Sequence, residues 1–180
     1  MSDTNTSVRT LSLDVRSAKF GFVVFEEPDQ LADYGVRSYA CGHGPLNTVL
    51  RRSFRKLINL YFPSLIVFRI PPNRADNRTR RAKVAAGILR KESKRQSIPI
   101  RCISRGTIKR FFRAQGLTNK YRIASYLADR FPNLAWKLPP RRRLWQSERH
   151  RMSIFDAVAA GVVCLQRPGV EVGSQIVRSD

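Results

Sequence analysis

SIFDAVAAGVVCL, residues 153–165, is apolar on every side except for a single carboxylate, that of Asp156. A helix of this composition has no solvent face and is buried in the core. An ionised carboxylate taken out of water is costly unless a cation or hydrogen-bond donors meet it. Asp156 therefore needs a partner, and we favour a metal ion. The alternative is a helix cap, because Ser153 and Asp156 have the Ser-x-x-acid spacing of a capping box.

A second carboxylate stands near the opposite end of the chain. RTLSLD, residues 9–14, alternates apolar and polar residues and ends in Asp14 just before a turn. This pattern predicts a strand that carries Asp14 at its tip. FGFVVF, residues 20–25, is typical of a strand buried on both faces. Residues 31–39 predict a third strand, so the chain is expected to begin with an antiparallel meander.

From Pro45 the spacing of apolar residues changes from that of a strand to that of a helix. The predicted elements that follow are a helix over 45–61, a strand over 64–70, a helix that includes 82–89, a strand over 97–104, helices that begin at Thr107 and Thr118, and the final helix. The sequence therefore predicts an α/β protein with five strands.

Positive charge is the strongest feature of the composition. The chain of 180 residues has 34 Lys and Arg against 13 Asp and Glu, a net charge of +21. Between Tyr34 and Ala128 there are 22 basic residues and only two acidic ones, Asp76 and Glu92. Such a field repels itself and is best explained by a polyanionic partner, with DNA or RNA favoured over an anionic membrane. The candidate nucleic-acid-binding residues are Arg16, Arg51, Arg52, Arg55, Arg74, Arg78, Arg80, Arg81, Lys109, Arg110, Arg113, Lys120, Arg141, Arg142, Arg143 and Trp145.

Several classes of protein are excluded by the same sequence. Its three cysteines are scattered and odd in number, which indicates reduced thiols and the cytoplasm. No apolar run approaches the ~20 residues that span a membrane. One domain over residues 9–166 is expected, with a disordered N-terminus at 1–8 and a loose tail at 167–180.

Three strands, then helix, strand, helix, strand and helices, is the element order of the ribonuclease H-like fold. LSLDVRS, residues 11–17, together with Gly21 resembles the first strand and turn of the RuvC-type Holliday junction resolvases. DAVAA, residues 156–160, resembles their last catalytic helix. The resemblance implies a mixed five-stranded sheet, an antiparallel meander of three strands plus two parallel strands, with helices on both faces.

In that family the two end acids meet and hold divalent ions that promote phosphodiester hydrolysis. The resemblance therefore implies that Asp14, Glu148 and Asp156 are catalytic and bind Mg²⁺ or Mn²⁺. Glu148 is included because it lies in the loop that enters the last helix. The implied partner is branched DNA, bound during DNA recombination, and the resemblance also implies a homodimer.

The chain departs from the family in two places. Family members usually carry a Glu at the end of the fourth strand, where this chain has Arg69 and Ile70, and Ser153 replaces a second acid in the last helix. Three hypotheses remain open: a metal-dependent, structure-selective endonuclease, a non-catalytic DNA- or RNA-binding module, and a basic ribosome-associated protein. Convergence of the three acids would favour the endonuclease. A salt bridge from Arg69 to Asp14 would favour the binding module, and no convergence of acids would favour the ribosomal role.

Overall fold

The computed structural model describes residues 8–39, 45–71, 75–141 and 151–166. These residues form five strands and five helices. The strands are β1 (Thr10–Val15), β2 (Lys19–Glu27), β3 (Gln30–Ser38), β4 (Leu65–Arg69) and β5 (Ile100–Ile103). The helices are α1 (Leu46–Tyr61), α2 (Asn77–Arg95), α3 (Arg105–Arg113), α4 (Lys120–Arg130) and α5 (Met152–Gln166), with a 3-10 turn at Pro132–Lys137.

The strands form one mixed sheet in the order β3-β2-β1-β4-β5. Strands β1, β2 and β3 pair antiparallel, while β4 and β5 continue the sheet parallel to β1. Strand β1 is the central strand, and every residue in it is buried. The predicted α/β class, the meander and the two parallel strands are confirmed.

Two core layers lie on opposite faces of the sheet, because successive side chains of a strand point to opposite faces. Leu11 and Leu13 pack in the layer beneath α1 and α2. Ser12 points the other way, and its hydroxyl donates to the Ala157 carbonyl of α5 at 2.6 Å. Helix α5 is buried from Met152 to Cys164, as its composition predicts. The sequence thus places the helix with no polar face against the centre of the sheet.

Glycines allow α5 to approach the sheet closely. A Cβ at Gly21 of β2 would lie 2.4 Å from the Ser153 carbonyl oxygen, and one at Gly161 would lie 2.2 Å from the Phe25 ring. Side chains at these positions would push the helix away. The N-terminal half of α5, which carries Asp156, therefore lies against β2 beside the tip of β1.

Two helix starts differ from the predicted ones. Ser104 caps α3 by accepting from the Thr107 backbone N–H at 3.0 Å, so this helix begins before Thr107. Asn119 caps α4 by accepting from the Arg122 backbone N–H at 2.9 Å, one residue after the predicted cap, Thr118. Several residues here have side chains suited to capping, and the path of the backbone decides which of them accepts the bond.

Other boundaries agree with the sequence within a few residues. Strand β5 is shorter than predicted, and Pro99, which has no N–H to donate, lies just outside it. The terminal segments expected at 1–8 and 167–180 lie outside the described residues, apart from the exposed Val8. None of the described helices is both long and apolar enough to cross a membrane.

Candidate functional site

The two end acids meet at one edge of the sheet. Asp14 is near the tip of β1, Asp156 is in the first half of α5, and they are 1% and 9% exposed. Arg16 joins them: its Nε donates to Asp14 Oδ2 at 2.7 Å and its Nη2 donates to Asp156 Oδ2 at 2.6 Å. The fold therefore brings together two carboxylates from opposite ends of the chain.

Arg69 enters the same site from the neighbouring strand. It ends β4, and the parallel pairing of β1 with β4 places it beside Asp14. Its Nη1 lies 2.5 Å from Asp14 Oδ1 and 3.7 Å from Asp156 Oδ2. A positive charge thus lies within ion-pair distance of both acids.

Lys120 supplies a third cation. It is the first residue of α4, a start fixed by the Asn119 cap. Its Nζ donates to Asp156 Oδ2 at 2.7 Å. Among the described residues, two carboxylates and three cations meet in this cluster, which sums to +1 when all five are ionised.

The two carboxylates are electrostatically different. Burial alone would raise the pKa of Asp14, but the adjacent Arg69 and Arg16 outweigh burial and hold its pKa below the usual value. Burial raises the pKa of Asp156, and the nearby negative charge of Asp14 raises it further. The cations, including Lys120, oppose this rise without cancelling it. Asp14 is therefore the more firmly ionised of the pair.

The backbone around Arg16 is anchored by the buried Tyr39, whose hydroxyl donates to the Arg16 carbonyl. The Tyr39 ring stacks on Phe20 with 6.4 Å between centroids, and the Arg16 N–H donates to the Lys19 carbonyl at 2.9 Å. Burial raises the pKa of Tyr39, so the phenol stays protonated and keeps donating. Arg16 is consequently positioned by the fold and is not simply a surface side chain that reaches the acids.

The donors that the described residues supply do not by themselves fit a divalent metal ion. Magnesium and manganese prefer several hard oxygens directed at one point, with a surplus of negative charge. Here both carboxylates accept hydrogen bonds from arginine or lysine, and the described side chains of the cluster carry more positive than negative charge. Within the described ranges, no three acidic, histidine or cysteine side chains group together as metal ligands.

The other predicted site residues divide into two groups. Glu148, Arg74, Arg142, Arg143 and Trp145 lie outside the described residues. The rest are distributed over several elements: Arg51 is half-buried, and Arg52, Arg55, Arg78, Arg80, Arg81, Lys109, Arg110, Arg113 and Arg141 are exposed on α1, α2, α3 and the segment after the 3-10 turn. Arg16 and Lys120, predicted to contact nucleic acid, contact the acids.

Sequence reasoning identified both acids and the need of Asp156 for a partner. The partners that the structure gives Asp156 are basic side chains. The capping-box alternative does not hold, because α5 begins at Met152 and Ser153 is already inside it. The sequence marks Arg69 as a departure from the family whose salt bridge to Asp14 would favour the binding module, and the parallel pairing of β1 with β4 places the two residues side by side in that ion pair.

No family model and no curated protein matches the sequence. Solved structures match the fold. RuvC from Thermus thermophilus in complex with a Holliday junction substrate has a TM-score of 0.67 at 12% identity, covering 89% of this chain and 94% of that one. A second structure of Thermus thermophilus RuvC has a TM-score of 0.66 at 12% identity, covering 89% of this chain and 95% of that one.

The yeast mitochondrial Holliday junction resolvase Ydc2 has a TM-score of 0.60 at 12% identity, over 89% of this chain and 80% of that one. At this level of identity the similarity concerns architecture. The chain has the ribonuclease H-like fold of the RuvC-type Holliday junction resolvases, with a salt-bridged cluster where its two end acids meet.

Proposed function

We propose that the protein binds nucleic acid and does not hydrolyse it. The observation that carries this proposal is the 2.5 Å ion pair between Arg69 and Asp14, made from the strand end where the resembled family has a Glu. Two carboxylates held by three cations are poorly suited to attract a divalent ion, whereas a cluster of net positive charge is compatible with a phosphate nearby.

The surroundings of the cluster support a nucleic-acid ligand. Strands β4 and β5 run parallel to β1, so their carboxyl ends lie at the same edge of the sheet as Asp14. Helices α2 and α3 start from that edge, and both carry exposed cations there. These cations are Arg78 and Arg81 on α2 and Arg105 on α3, while Lys109, Arg110 and Arg113 follow farther along α3.

Branched DNA is the ligand we propose to test first. Thermus thermophilus RuvC, which shares the fold, is described in complex with a Holliday junction substrate. A competition titration should show tighter binding of a four-way junction than of a linear duplex of equal length. We also propose a homodimer in the cytoplasm, and sedimentation of the free protein would test the dimer.

A second candidate is a Mg²⁺- or Mn²⁺-dependent structure-selective endonuclease. The observation in its favour is that Asp14 and Asp156 do converge, each bonded to Arg16. This candidate requires a third acid, and Glu148 is the one proposed. Glu148→Gln should then reduce cleavage about 100-fold, or about 2.7 kcal/mol. The ribosome-associated alternative is not favoured, because it predicts that the acids do not converge, whereas Asp14 and Asp156 both bond to Arg16.

The decisive experiment compares metal binding in proteins that differ at one site. Calorimetry with Mg²⁺ and Mn²⁺ is performed on the wild type, Asp14→Asn, Arg69→Glu and the isosteric control Arg69→Gln. We expect no binding by the wild type and Asp14→Asn, a gain of binding by Arg69→Glu, and none by Arg69→Gln. Both variants remove the guanidinium and only Arg69→Glu adds a carboxylate, so this pattern would show that the added carboxylate causes the gain in metal binding.

Cleavage assays on junctions, flaps and single strands complete the test. Our proposal expects the wild type to bind these substrates and leave them intact in either metal. Metal-dependent cleavage by the wild type that is lost in both Asp14→Asn and Asp156→Asn would establish the endonuclease instead. Cleavage that survives both changes would mean that a contaminant or another site is responsible.

A further inference from the structure

Helices α1 and α2 form a strongly basic layer on the face of the sheet opposite α5. They contain twelve Lys and Arg, four in α1 and eight in α2, against one acid, Glu92. Glu92 is buried and paired with Arg55, so it offers no negative charge to solvent. This layer carries a net charge of +11, more than half of the +21 of the whole chain.

The outward side of α2 has a regular arrangement, which we call the α2 stripe: Arg80, Val84, Gly87, Lys91 and Lys94. Their spacing of three or four residues places them on one side of the helix. Cations lie at both ends of the stripe, and its middle contains two uncharged residues, the exposed Val84 and the half-buried Gly87. A Cβ at Gly87 would meet nothing within 4 Å.

The dimensions and chemistry of the α2 stripe fit the backbone of a double helix. From Arg80 to Lys94 it extends about 21 Å, at about 1.5 Å per residue. A duplex carries one negative charge per about 1.7 Å of its axis, so several phosphates face a surface of this length. The small residues in the middle allow the backbone to come close to the helix, and the cations at the ends meet phosphates.

A single strand fits the layer less well. Such ligands are held largely by stacking of bases on exposed aromatic rings. In the described part of the chain, α1 and α2 expose the large apolar side chains of Leu60 and Val84, and neither is aromatic. The exposed ring of Phe62 follows the end of α1 and does not belong to the α2 stripe. We therefore expect this surface to contact the phosphates of a regular backbone and not to distinguish base sequences.

We propose that the α2 stripe is a second nucleic-acid-binding surface, one that takes the sugar-phosphate backbone of a duplex. It lies on the opposite face of the sheet from α5 and the acid cluster. One protein molecule can therefore hold two duplex segments, one at the edge bearing Asp14 and one along α2. The proposal shares its ligand class with the proposed function but depends on different residues.

The first test is a bridging assay. A duplex is immobilised, protein is added, and capture of a second, labelled duplex is measured for DNA and for RNA. The test variant is Arg80→Gln, Lys91→Gln, Lys94→Gln, three exposed changes at the α2 stripe. We expect about 10-fold less bridging, and a slope of log K against log salt shallower by about 3 for binding at this surface.

A second pair of variants changes one position and tests the same surface without removing cations. Gly87→Glu adds a negative charge to the middle of the α2 stripe, and Gly87→Gln adds a side chain of the same size without charge. The Cβ of either side chain would meet nothing within 4 Å at this position. Bridging should fall further for Gly87→Glu than for Gly87→Gln, while circular dichroism and unfolding temperature remain like those of the wild type.

Bridging that is unchanged in the triple variant overturns the proposal, as does tighter binding to anionic phospholipid vesicles than to either duplex. If the triple variant loses all duplex binding, the α2 stripe is supported and the proposed role of the edge bearing Asp14 is contradicted. If it loses bridging but still binds one duplex, both proposals are supported.

Discussion

Arg69 brings a positive charge to within ion-pair distance of both Asp14 and Asp156. The carboxylate of Asp14 is buried, and it is kept ionised by guanidinium groups on two sides. A buried ion pair adds little net stability, but removing one partner is costly because the other charge is left unpaired. The acid pair therefore depends on its cations for stability, whatever else it does.

We predict that Asp14→Asn lowers the free energy of unfolding at pH 7, whereas Asp156→Asn leaves it unchanged or raises it. The folded-state pKa of Asp14 is lowered, so its ionised form contributes stability above the unfolded pKa of about 4, and Asp14→Asn should cost about 1–3 kcal/mol at pH 7. The folded-state pKa of Asp156 is raised, so its contribution is lost as pH rises, and Asp156→Asn should be neutral or stabilising at pH 7.

Urea unfolding of both variants at pH 7 measures these effects. Arg69→Met should destabilise the protein as Asp14→Asn does, and the double variant should lose less than the sum of the two single losses. Additive losses would contradict the direct Arg69 to Asp14 interaction.

A second residue-scale prediction concerns Glu92, buried in α2. Its carboxylate accepts from Arg55 Nε of α1 at 2.5 Å, and this hydrogen bond lowers its pKa below the usual value despite burial. Its stabilising contribution is therefore present above the unfolded pKa of about 4.3 and is lost as pH falls through the folded value. Glu92→Gln should cost on the order of 1 kcal/mol at pH 7.

The check is a pair of unfolding curves for wild type and Glu92→Gln at pH 7 and near pH 3. Their difference in unfolding free energy should shrink at the acid pH. A difference that stays constant would mean that the ionised carboxylate contributes nothing and that Glu92 only fills space between α1 and α2.

At the scale of elements, close contact between α5 and β2 determines where Asp156 lies. Gly161 has no room for a methyl group, since its Cβ would overlap the Phe25 ring. We predict that Gly161→Ala destabilises the protein by about 1–3 kcal/mol, despite the higher helix propensity of alanine.

Gly87→Ala in α2 is the matched control. It makes the same change within a helix, with open space around the new methyl group. It should stabilise the protein by about 1 kcal/mol. Thermal unfolding of the two variants measures both effects, and equal shifts would show that the packing of α5 against β2 is looser than described.

At the scale of the whole molecule, the described part of the chain separates its charges. Acidic residues cluster where β2 turns into β3, at Glu26, Glu27, Asp29 and Asp33. The cations of α1, α2 and α3 lie on other parts of the surface. A polyanion approaching the molecule is attracted more to the basic surfaces than to this turn, where Arg9 and Arg130 partly offset the acids by pairing with Glu26 and Asp29.

We predict a steep salt dependence of nucleic-acid binding. Engagement of about six phosphates gives a slope near −5 for log K against log salt. Fluorescence anisotropy with a short duplex between 50 and 200 mM salt, roughly the range over which this effect is largest, provides the measurement. A slope shallower than about −2 would contradict binding along the phosphate backbone.

The sequence by itself determined the order of elements, the burial of α5, the position of Asp14 at a strand tip and the basic character of the surface. Each of these follows from local periodicity or from composition, which short segments carry by themselves. The sequence predicted helix starts at Thr107 and Thr118, whereas Ser104 and Asn119 are the caps, because neighbouring residues have side chains equally suited to capping.

Only the tertiary structure decided what surrounds the acids. Arg16 is close to Asp14 in sequence, but Arg69 reaches it through the pairing of β4 with β1, and Lys120 reaches Asp156 from the start of α4. No local pattern encodes these contacts, since they depend on strand register and on how helices pack across the sheet. Whether two carboxylates face a metal ion or three cations is therefore a property of the assembled fold.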